Sequence, residues 1–246
     1  MATRDDIVRY CNERLVADSF DDYCPNGLQV EGRATVSRLV SGVTASQALL
    51  DAALEADADL VLVHHGYFWR GERAEIVGMK ARRLKSLLTA EVNLLAYHLP
   101  LDAHAELGNN RQLGDRLELK GAAPLTGLVW GCELDQALMP GALAERLKSV
   151  LSRVPTVVGP DRPIRHLAWC TGAAQSMIEQ AAQAGCDAFI SGEISEQTLH
   201  QANELGVTYF AAGHHATERF GVQALGEELA ERFGLGHRFV DLDNPA

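Results

Sequence analysis

The stretch Asp59-Leu-Val-Leu-Val-His64-His65-Gly66 is a short apolar run that ends on two histidines and a glycine. A continuous apolar run of this length is typical of a strand that is buried on both faces, as in a parallel sheet. A second histidine doublet occurs in Ala211-Ala-Gly-His214-His215-Ala-Thr-Glu218. The chain has only nine histidines. Two doublets at the ends of predicted strands therefore indicate a fold that collects imidazole groups at one rim, as metal-binding proteins do.

Strands and helices alternate outward from this stretch in both directions. Apolar residues at helical spacing separate the predicted strands, and a last helix is predicted near 217–233. This alternation predicts an α/β fold with a mostly parallel, mixed sheet. The predicted strands cover residues 38–43, 60–63, 92–97, 164–170, 187–191, 207–211 and 238–240.

Two parts of the chain resemble each other. DAALEADAD at 51–59 aligns without gaps to EQAAQAGCD at 179–187, and VNLLA at 92–96 matches VTYFA at 207–211. Short α/β stretches also resemble each other by chance, but the shared order favours an internal duplication. We therefore predict two related, interlocked α/β halves, 1–122 and 164–246. Residues 123–163 are predicted to connect them, with a short helix after Pro140.

Composition and charge exclude some classes of protein. The 246 residues are 47% hydrophobic and carry a net charge of −11, which argues against an extended nucleic-acid interface but leaves room for a local basic patch. Neither a membrane span nor an N-terminal signal segment is predicted. Five cysteines form no C-x-x-C pair, as expected of a reduced, cytoplasmic protein with structural thiols.

The spacing His-x-x-x-carboxylate occurs twice after strands that correspond in the two halves, as His98…Asp102 and His214…Glu218. Residues i and i+4 of a helix share a face, so His214 and Glu218 can bind one ion if a helix begins near Gly213. Pro100 predicts a loop or turn at 98–102. In open α/β sheets, ligands gather beyond the carboxyl ends of the strands.

His64 and His65 are expected to point apart, because successive side chains of a strand alternate. They therefore suit two different ions, which predicts a dinuclear site for two divalent metal ions per chain. Imidazole and carboxylate ligands suit Zn, Mn, Fe, Co or Ni without choosing among them. Two such ions about 3.5–4 Å apart can activate a bridging water for hydrolysis. A single histidine at a strand end is usually structural, but two doublets with two His-x-x-x-carboxylate elements favour metal binding.

Further residues have both a functional and a structural interpretation. Glu193 occupies the repeat position of His65 and is a candidate general base or a hydrogen-bond partner of a metal ligand, although a solvated acidic loop explains it equally well. The aromatic and basic stretch at 67–70 can stack on a planar base and meet an anion through Arg70, or its rings can simply pack in the core. No Walker motif, G-x-G-x-x-G or G-x-S-x-G element is present.

Five motifs in order carry a family resemblance that spans nearly the whole chain. They are Pro-Asn-Gly-Leu-Gln-Val at 25–30, Val-His-His-Gly at 63–66, His-Leu-Pro-Leu-Asp-Ala-His at 98–104, Leu-Gly-Asn-Asn at 107–110 and Gly-His-His-Ala-Thr-Glu at 213–218. With these motifs the sequence resembles the NIF-three-like family, also labelled GTP cyclohydrolase I type 2, and is most like the bacterial YbgI type.

The resemblance implies a dinuclear-metal α/β fold that assembles into a toroidal homohexamer with its sites facing an internal cavity. By motif, it implies that His98 and Glu193 lie near the metals, and it removes His215 from the ligands. Longer relatives carry an inserted domain where this chain has its connecting region. The implied metal ligands are His64, His65, Asp102, His214 and Glu218.

Two functions remain in view. The first is a dinuclear metal-dependent hydrolase that acts on a nucleotide or a related small molecule, with Glu193 or His98 moving a proton. The cyclohydrolase label is an inherited name rather than an established activity. The second is a metal-binding scaffold or regulatory adaptor, in which the same ligands close the site and leave no position for a reacting water.

Overall fold

The computed structural model describes residues 2–246, which form two compact units. The first unit contains the residues through Leu107 together with Gly221–Asp243, and the second contains Gly108–Phe220 together with Asn244–Ala246. The halves expected from the sequence, 1–122 and 164–246, were defined by their sequence similarity, whereas the compact units are defined by packing. The two halves therefore remain a prediction.

The first unit contains a five-stranded sheet in the order β13-β4-β5-β6-β2. The four strands β13, β4, β5 and β6 are parallel, and β2 runs antiparallel to β6 at the edge. A short antiparallel pair, β1 with β3, stands apart from this sheet. Its elements are β1 (Ala2–Thr3), α1 (Arg4–Arg14), β2 (Gly27–Val30), β3 (Thr35–Val36), β4 (Arg38–Thr44), α2 (Gln47–Glu55), β5 (Leu60–His65), α3 (Gly78–Ala90), β6 (Asn93–Ala96), α4 (Leu99–Ala103) and β13 (Gly236–Phe239).

The strand β5 shows why its apolar run decides this sheet. Leu60 and Leu62 pack into one hydrophobic cluster with residues of α1, whereas Val61 and Val63 pack into another with residues of α2 and α3. All four side chains are fully buried. Alternate side chains of the strand thus enter the two faces of the sheet, as its continuous apolar pattern predicts.

The second unit contains a six-stranded sheet in the order β7-β8-β10-β11-β12-β9. Its three central strands, β10, β11 and β12, are parallel, and the flanking strands β8 and β9 run antiparallel to them. Its elements are α5 (Asn109–Arg116), β7 (Ala123–Thr126), β8 (Val129–Leu138), α6 (Pro140–Leu151), β9 (Thr156–Val158), β10 (Ile164–Trp169), α7 (Ile178–Gln183), β11 (Ala188–Ser191), α8 (Glu196–Leu205), β12 (Thr208–Ala211) and α9 (His214–Thr217). Helix α10 (Arg219–Phe233) begins in this unit and ends in the first.

The same hydrogen bonds recur in both sheets. The Asp59 carboxylate accepts bonds from the backbone N–H groups of Ser37 and Arg38 at 2.8 and 3.0 Å. The Asp187 carboxylate accepts bonds from the N–H groups of two consecutive residues, 165 and 166, at 2.9 and 2.8 Å. In each case an aspartate just before one parallel strand fixes the start of the neighbouring strand. This match supports the internal duplication.

The predicted α/β class is confirmed, and the differences from the sequence-based elements are local. Residues 123–163 contribute the ten-residue strand β8, which the sequence analysis did not predict. Glycine and proline around it obscured the strand pattern, and its outer half is largely exposed. No helix among residues 2–246 combines the length and the apolar character needed to cross a bilayer.

Replacing Asp59 by asparagine is expected to destabilise the protein. Asp59 is buried, accepts two backbone N–H bonds and pairs with Arg33, and hydrogen bonds to a charged group are worth about 1.5–3 kcal/mol. Asp59→Asn should therefore lower the free energy of unfolding by about 2 kcal/mol, measured by urea unfolding at fixed protein concentration. The control is Asp57→Asn, whose side chain is exposed. Equal urea midpoints of unfolding for the two variants would contradict the stabilising role of Asp59.

Candidate metal centre

The first cluster of candidate ligands lies where two parallel strands end. His64 and His65 are the last two residues of β5. His98 follows the neighbouring strand β6 and precedes helix α4, which carries Asp102. The loop or turn predicted at 98–102 is therefore wrong, because proline is tolerated in the first turn of a helix. Because β5 and β6 are parallel, their carboxyl ends lie at the same edge of the sheet. The order of strands therefore brings the histidines of two motifs together.

Three imidazole rings meet at this edge, so the prediction that His64 and His65 point apart is wrong: strand β5 ends at His65, and the two rings lie together. Ring nitrogens of His64, His65 and His98 lie within 4.8 Å of one another. The His64 ring is 4.6 Å from the His65 ring and 5.1 Å from the His98 ring, between centroids. His64 Nε2 is 3.5 Å from Asp102 Oδ1. Both partners of this last contact are buried, which keeps competing water away from it.

Each ring of the cluster has its Nδ1 atom next to an oxygen atom. His64 Nδ1 donates to the carbonyl oxygen of Tyr97 at 2.9 Å, and His98 Nδ1 lies 2.7 Å from Asp22 Oδ1. His65 Nδ1 is 3.1 Å from the Thr44 hydroxyl. A carbonyl or carboxylate at Nδ1 favours the tautomer that carries its proton there. In a neutral ring of this kind the lone pair is on Nε2, the arrangement usual for metal-binding histidines.

Asn26, in the motif at residues 25–30, holds His98 and its partner Asp22 in place. Asn26 Oδ1 accepts a bond from His98 N at 2.8 Å, and Asn26 Nδ2 donates to Asp22 at 2.9 Å. Burial raises the pKa of Asp22, but the bonds from His98 and Asn26 outweigh it and lower the pKa to about 2. The sequence analysis missed Asp22, which lies 76 residues before His98 and belongs to none of the motifs.

The aromatic and basic stretch adjoins the same rings. The Trp69 ring lies 5.0 Å from the His98 ring, edge to face, and 5.9 Å from the His65 ring. Gln29 holds this stretch, because its Oε1 atom accepts a bond from Tyr67 N at 2.6 Å. Arg70 donates to Asp21 Oδ1 at 2.7 Å and to the carbonyl of residue 22 at 2.9 Å. The guanidinium of Arg70 is therefore already bound to acceptors of the chain.

The second unit holds a histidine between two carboxylates. His214 is the first residue of α9, and its Nε2 atom is 3.1 Å from Glu218 Oε2. On the other side of the ring, His214 Nδ1 lies 2.7 Å from Glu193 Oε1. Burial lowers the pKa of His214, but Glu218 and Glu193 outweigh it and raise the pKa to about 9. Without a metal, His214 is therefore a cation at neutral pH, and a divalent ion would replace its proton.

Two glycines leave room for this pair. A Cβ atom on Gly172 would lie 2.1 Å from Glu218 Oε1, and a Cβ on Gly192 would lie 2.6 Å from His214 Cα. Gly172 also has a φ of +70°, which side chains rarely adopt. Asn110 fixes the backbone just before it by accepting a bond from Thr171 N at 3.0 Å. The sequence analysis missed both glycines, although each follows a predicted strand.

These donors fit a divalent transition metal. Buried imidazole and carboxylate groups are the ligands that Zn, Mn, Fe, Co and Ni share, and the space beside Gly172 admits the Glu218 carboxylate only because no Cβ fills it. Cys24 lies with Asp22 and His98, but burial and the charge of Asp22 raise its pKa to about 12. Without a metal the thiol therefore stays protonated.

All seven predicted site residues fall into these two clusters. The first unit brings together His64, His65, His98 and Asp102, and the second brings together Glu193, His214 and Glu218. The roles assigned to them, five as metal ligands and two in proton transfer, remain predictions.

The comparisons with known proteins agree with the fold and the motifs. The family model described as Duf34/NIF3 (NGG1p interacting factor 3) matches residues 2–245. A protein of Allochromatium vinosum named GTP cyclohydrolase 1 type 2 homolog is 56% identical over 98% of this chain and 96% of its own length. A Pseudomonas aeruginosa protein of the same name is 55% identical over 98% of this chain and 97% of its own length.

Two solved structures share the architecture. One is described as the protein ybgI of unknown function; it is 49% identical, covers both chains completely and has a TM-score of 0.94. The other is TTHA1606 from Thermus thermophilus, which is 36% identical, also covers both chains completely and has a TM-score of 0.92.

Substituting Gly172 by alanine should displace the Glu218 carboxylate. The matched control is Gly185→Ala, because Gly185 has a similar φ of +76° but nothing within 4 Å of a Cβ, so both variants carry the same backbone strain. We expect Gly172→Ala to bind Mn²⁺ about 10–100-fold more weakly than Gly185→Ala, measured by calorimetric titration of metal-free protein. Equal Mn²⁺ affinities of the two variants would show that metal binding does not depend on the space that Gly172 leaves for the Glu218 carboxylate.

Proposed function

Because the chain belongs to the Duf34/NIF3 family, we propose that it is a dinuclear metal-dependent hydrolase. Its substrate in this proposal is a nucleotide or a related small molecule. The proposed ligands of the two divalent ions are His64, His65, Asp102, His214 and Glu218.

One observation carries the proposal. In each unit a histidine Nε2 atom faces a buried carboxylate, 3.5 Å from Asp102 for His64 and 3.1 Å from Glu218 for His214. In each unit the Nδ1 atom of the same ring is held by an oxygen atom, from Tyr97 or Glu193. This arrangement orients Nε2, the proposed metal-binding nitrogen, towards a carboxylate. A histidine with a purely structural role does not require such an orientation.

The reaction needs a proton acceptor as well as the metals. Two divalent ions held by these ligands would lower the pKa of a water and stabilise an oxyanion. In the proposal Glu193 accepts the proton at its carboxylate, which already bonds to His214 Nδ1. His98 is the alternative, because its Nδ1 atom is held by Asp22 and its ring adjoins both His64 and His65.

The remaining parts of the proposal rest on the family. The two named relatives carry the label GTP cyclohydrolase 1 type 2 homolog, which supports a nucleotide-like substrate. We also propose a homohexamer, which mass photometry tests directly. A cytoplasmic location is supported by the cysteines, all five of which are free thiols.

Metal content tests the ligand set. After removal of metal and reconstitution with Mn²⁺, we expect about two ions per chain by elemental analysis. His214→Ala should lose metal, because His214 Nε2 lies next to Glu218. The neighbouring His215→Ala is the matched control and should retain metal. Fewer than about two ions in the unaltered protein, or equal loss in the two variants, would refute the ligand assignment.

A screen over nucleotides and phosphoesters tests turnover. Glu193→Gln should lower kcat by at least about 100-fold, since a positioned base contributes about 10²–10⁴-fold. Glu196→Gln, an exposed substitution on α8, should leave kcat unchanged. Metal content must be equal in both variants, because Glu193 also bonds to His214. Two bound ions without turnover across the screen would favour the metal-binding scaffold instead.

A further inference from the structure

Arg153 has a buried donor atom with no acceptor among residues 2–246. The Arg153 side chain is half-buried. Its Nε atom is shielded from solvent, and no acceptor lies within hydrogen-bond distance of it. Within residues 2–246 no carboxylate forms an ion pair with it. A buried donor without an acceptor costs free energy, and a bound ion or ligand is one way to satisfy it.

The backbone around Arg153 is firmly held. Arg153 follows the end of helix α6, where Ser152 adopts a left-handed conformation with φ of 56°. The preceding carbonyl, of Leu151, accepts a bond from Arg219 Nη2 at 2.8 Å. Pro155 is buried two residues further on. The position of the Arg153 side chain is therefore set by a fixed turn.

The side chain of Arg153 packs against the backbone just before His214, the histidine that lies between Glu193 and Glu218. A Cβ atom on Gly213 would be 2.7 Å from Arg153 Cδ and 2.8 Å from its Nε. Gly213, with φ of +99°, directly precedes His214. The missing side chain at 213 thus lets the guanidinium approach the residue that pairs with Glu218. Glu218 and Glu193 both face the His214 ring, and neither forms an ion pair with Arg153.

We propose that Arg153 binds an oxyanion group of the substrate, a phosphoryl or carboxylate group, next to His214. A guanidinium presents parallel N–H donors that match two oxygens of such a group, and Nε is one of these donors. The aromatic and basic stretch at 67–70 made Arg70 one candidate for binding an anion, but its guanidinium is paired with Asp21. The proposal rests on the proposed hydrolase function only in taking the bound anion to be part of its substrate.

The test compares two probes that share a ring and differ in the oxyanion, phenyl phosphate and benzoate. Each is titrated by calorimetry into the unaltered protein, Arg153→Met and the control Arg146→Met, with and without Mn²⁺. Arg146 lies on α6 and pairs with the exposed Glu118. We expect Arg153→Met to bind the preferred probe at least about 10-fold more weakly, and Arg146→Met to bind it normally. The probe that binds more tightly identifies the phosphoryl or the carboxylate group.

Metal content in the same samples separates this proposal from the proposed function. Arg153→Met should hold as much Mn²⁺ as the unaltered protein, because Arg153 is not a ligand. Probe binding that depends on Arg153 in a protein without two metals would support the anion site and refute the dinuclear hydrolase. Equal affinity in all three proteins, binding of neither probe, or loss of metal in Arg153→Met would overturn the anion site.

Discussion

A hydrogen bond at ring Nδ1 is the interaction on which the candidate site depends. His64, His98 and His214 each place Nδ1 beside a carbonyl or carboxylate oxygen, at 2.9, 2.7 and 2.7 Å. An imidazole held in this way keeps one orientation and one tautomer. A freely rotating ring would lose conformational entropy on binding a metal, whereas a held ring has lost it during folding.

The acceptors are held in turn by the sheets. The carbonyl that binds His64 belongs to Tyr97, whose own N–H group donates to Val63 at 3.1 Å. The register of β5 and β6 therefore sets the position of the His64 ring along the strand direction. Glu193 follows β11, and Gly172 follows β10, with Gly192 N donating to the Gly172 carbonyl at 2.8 Å. In both units the parallel strands thus position the polar groups that follow them.

Much of this could be predicted from the sequence because it depends on local pattern. The apolar run at 60–63 gave a strand buried on both faces, and the spacing of His214 and Glu218 gave a pair on one side of a helical turn. The groups that hold His64 and His98, the Tyr97 carbonyl and the Asp22 carboxylate, could not be predicted. Asp22 reaches His98 across 76 residues, and no local periodicity encodes such a contact.

The same limit explains Arg153 and strand β8. An arginine without an ion pair looks like any other in the sequence, because its lack of a partner is a property of the folded chain. Arg70, which directly follows three aromatic residues, was a candidate anion ligand by its sequence, but in the structure it donates to Asp21. Strand β8 is half exposed and adjoins glycine-rich turns, so neither periodicity nor composition marked it.

The central claim is that the rings bind metal through Nε2 while Nδ1 stays bonded to the protein. Anomalous X-ray diffraction at the manganese edge, from crystals of the Mn²⁺-loaded protein, tests it most directly. Two anomalous peaks per chain are expected, in contact with Nε2 of His64, His65 and His214 and with the Asp102 and Glu218 carboxylates. Peaks at Nδ1 atoms, or no peak beside these residues, would contradict it.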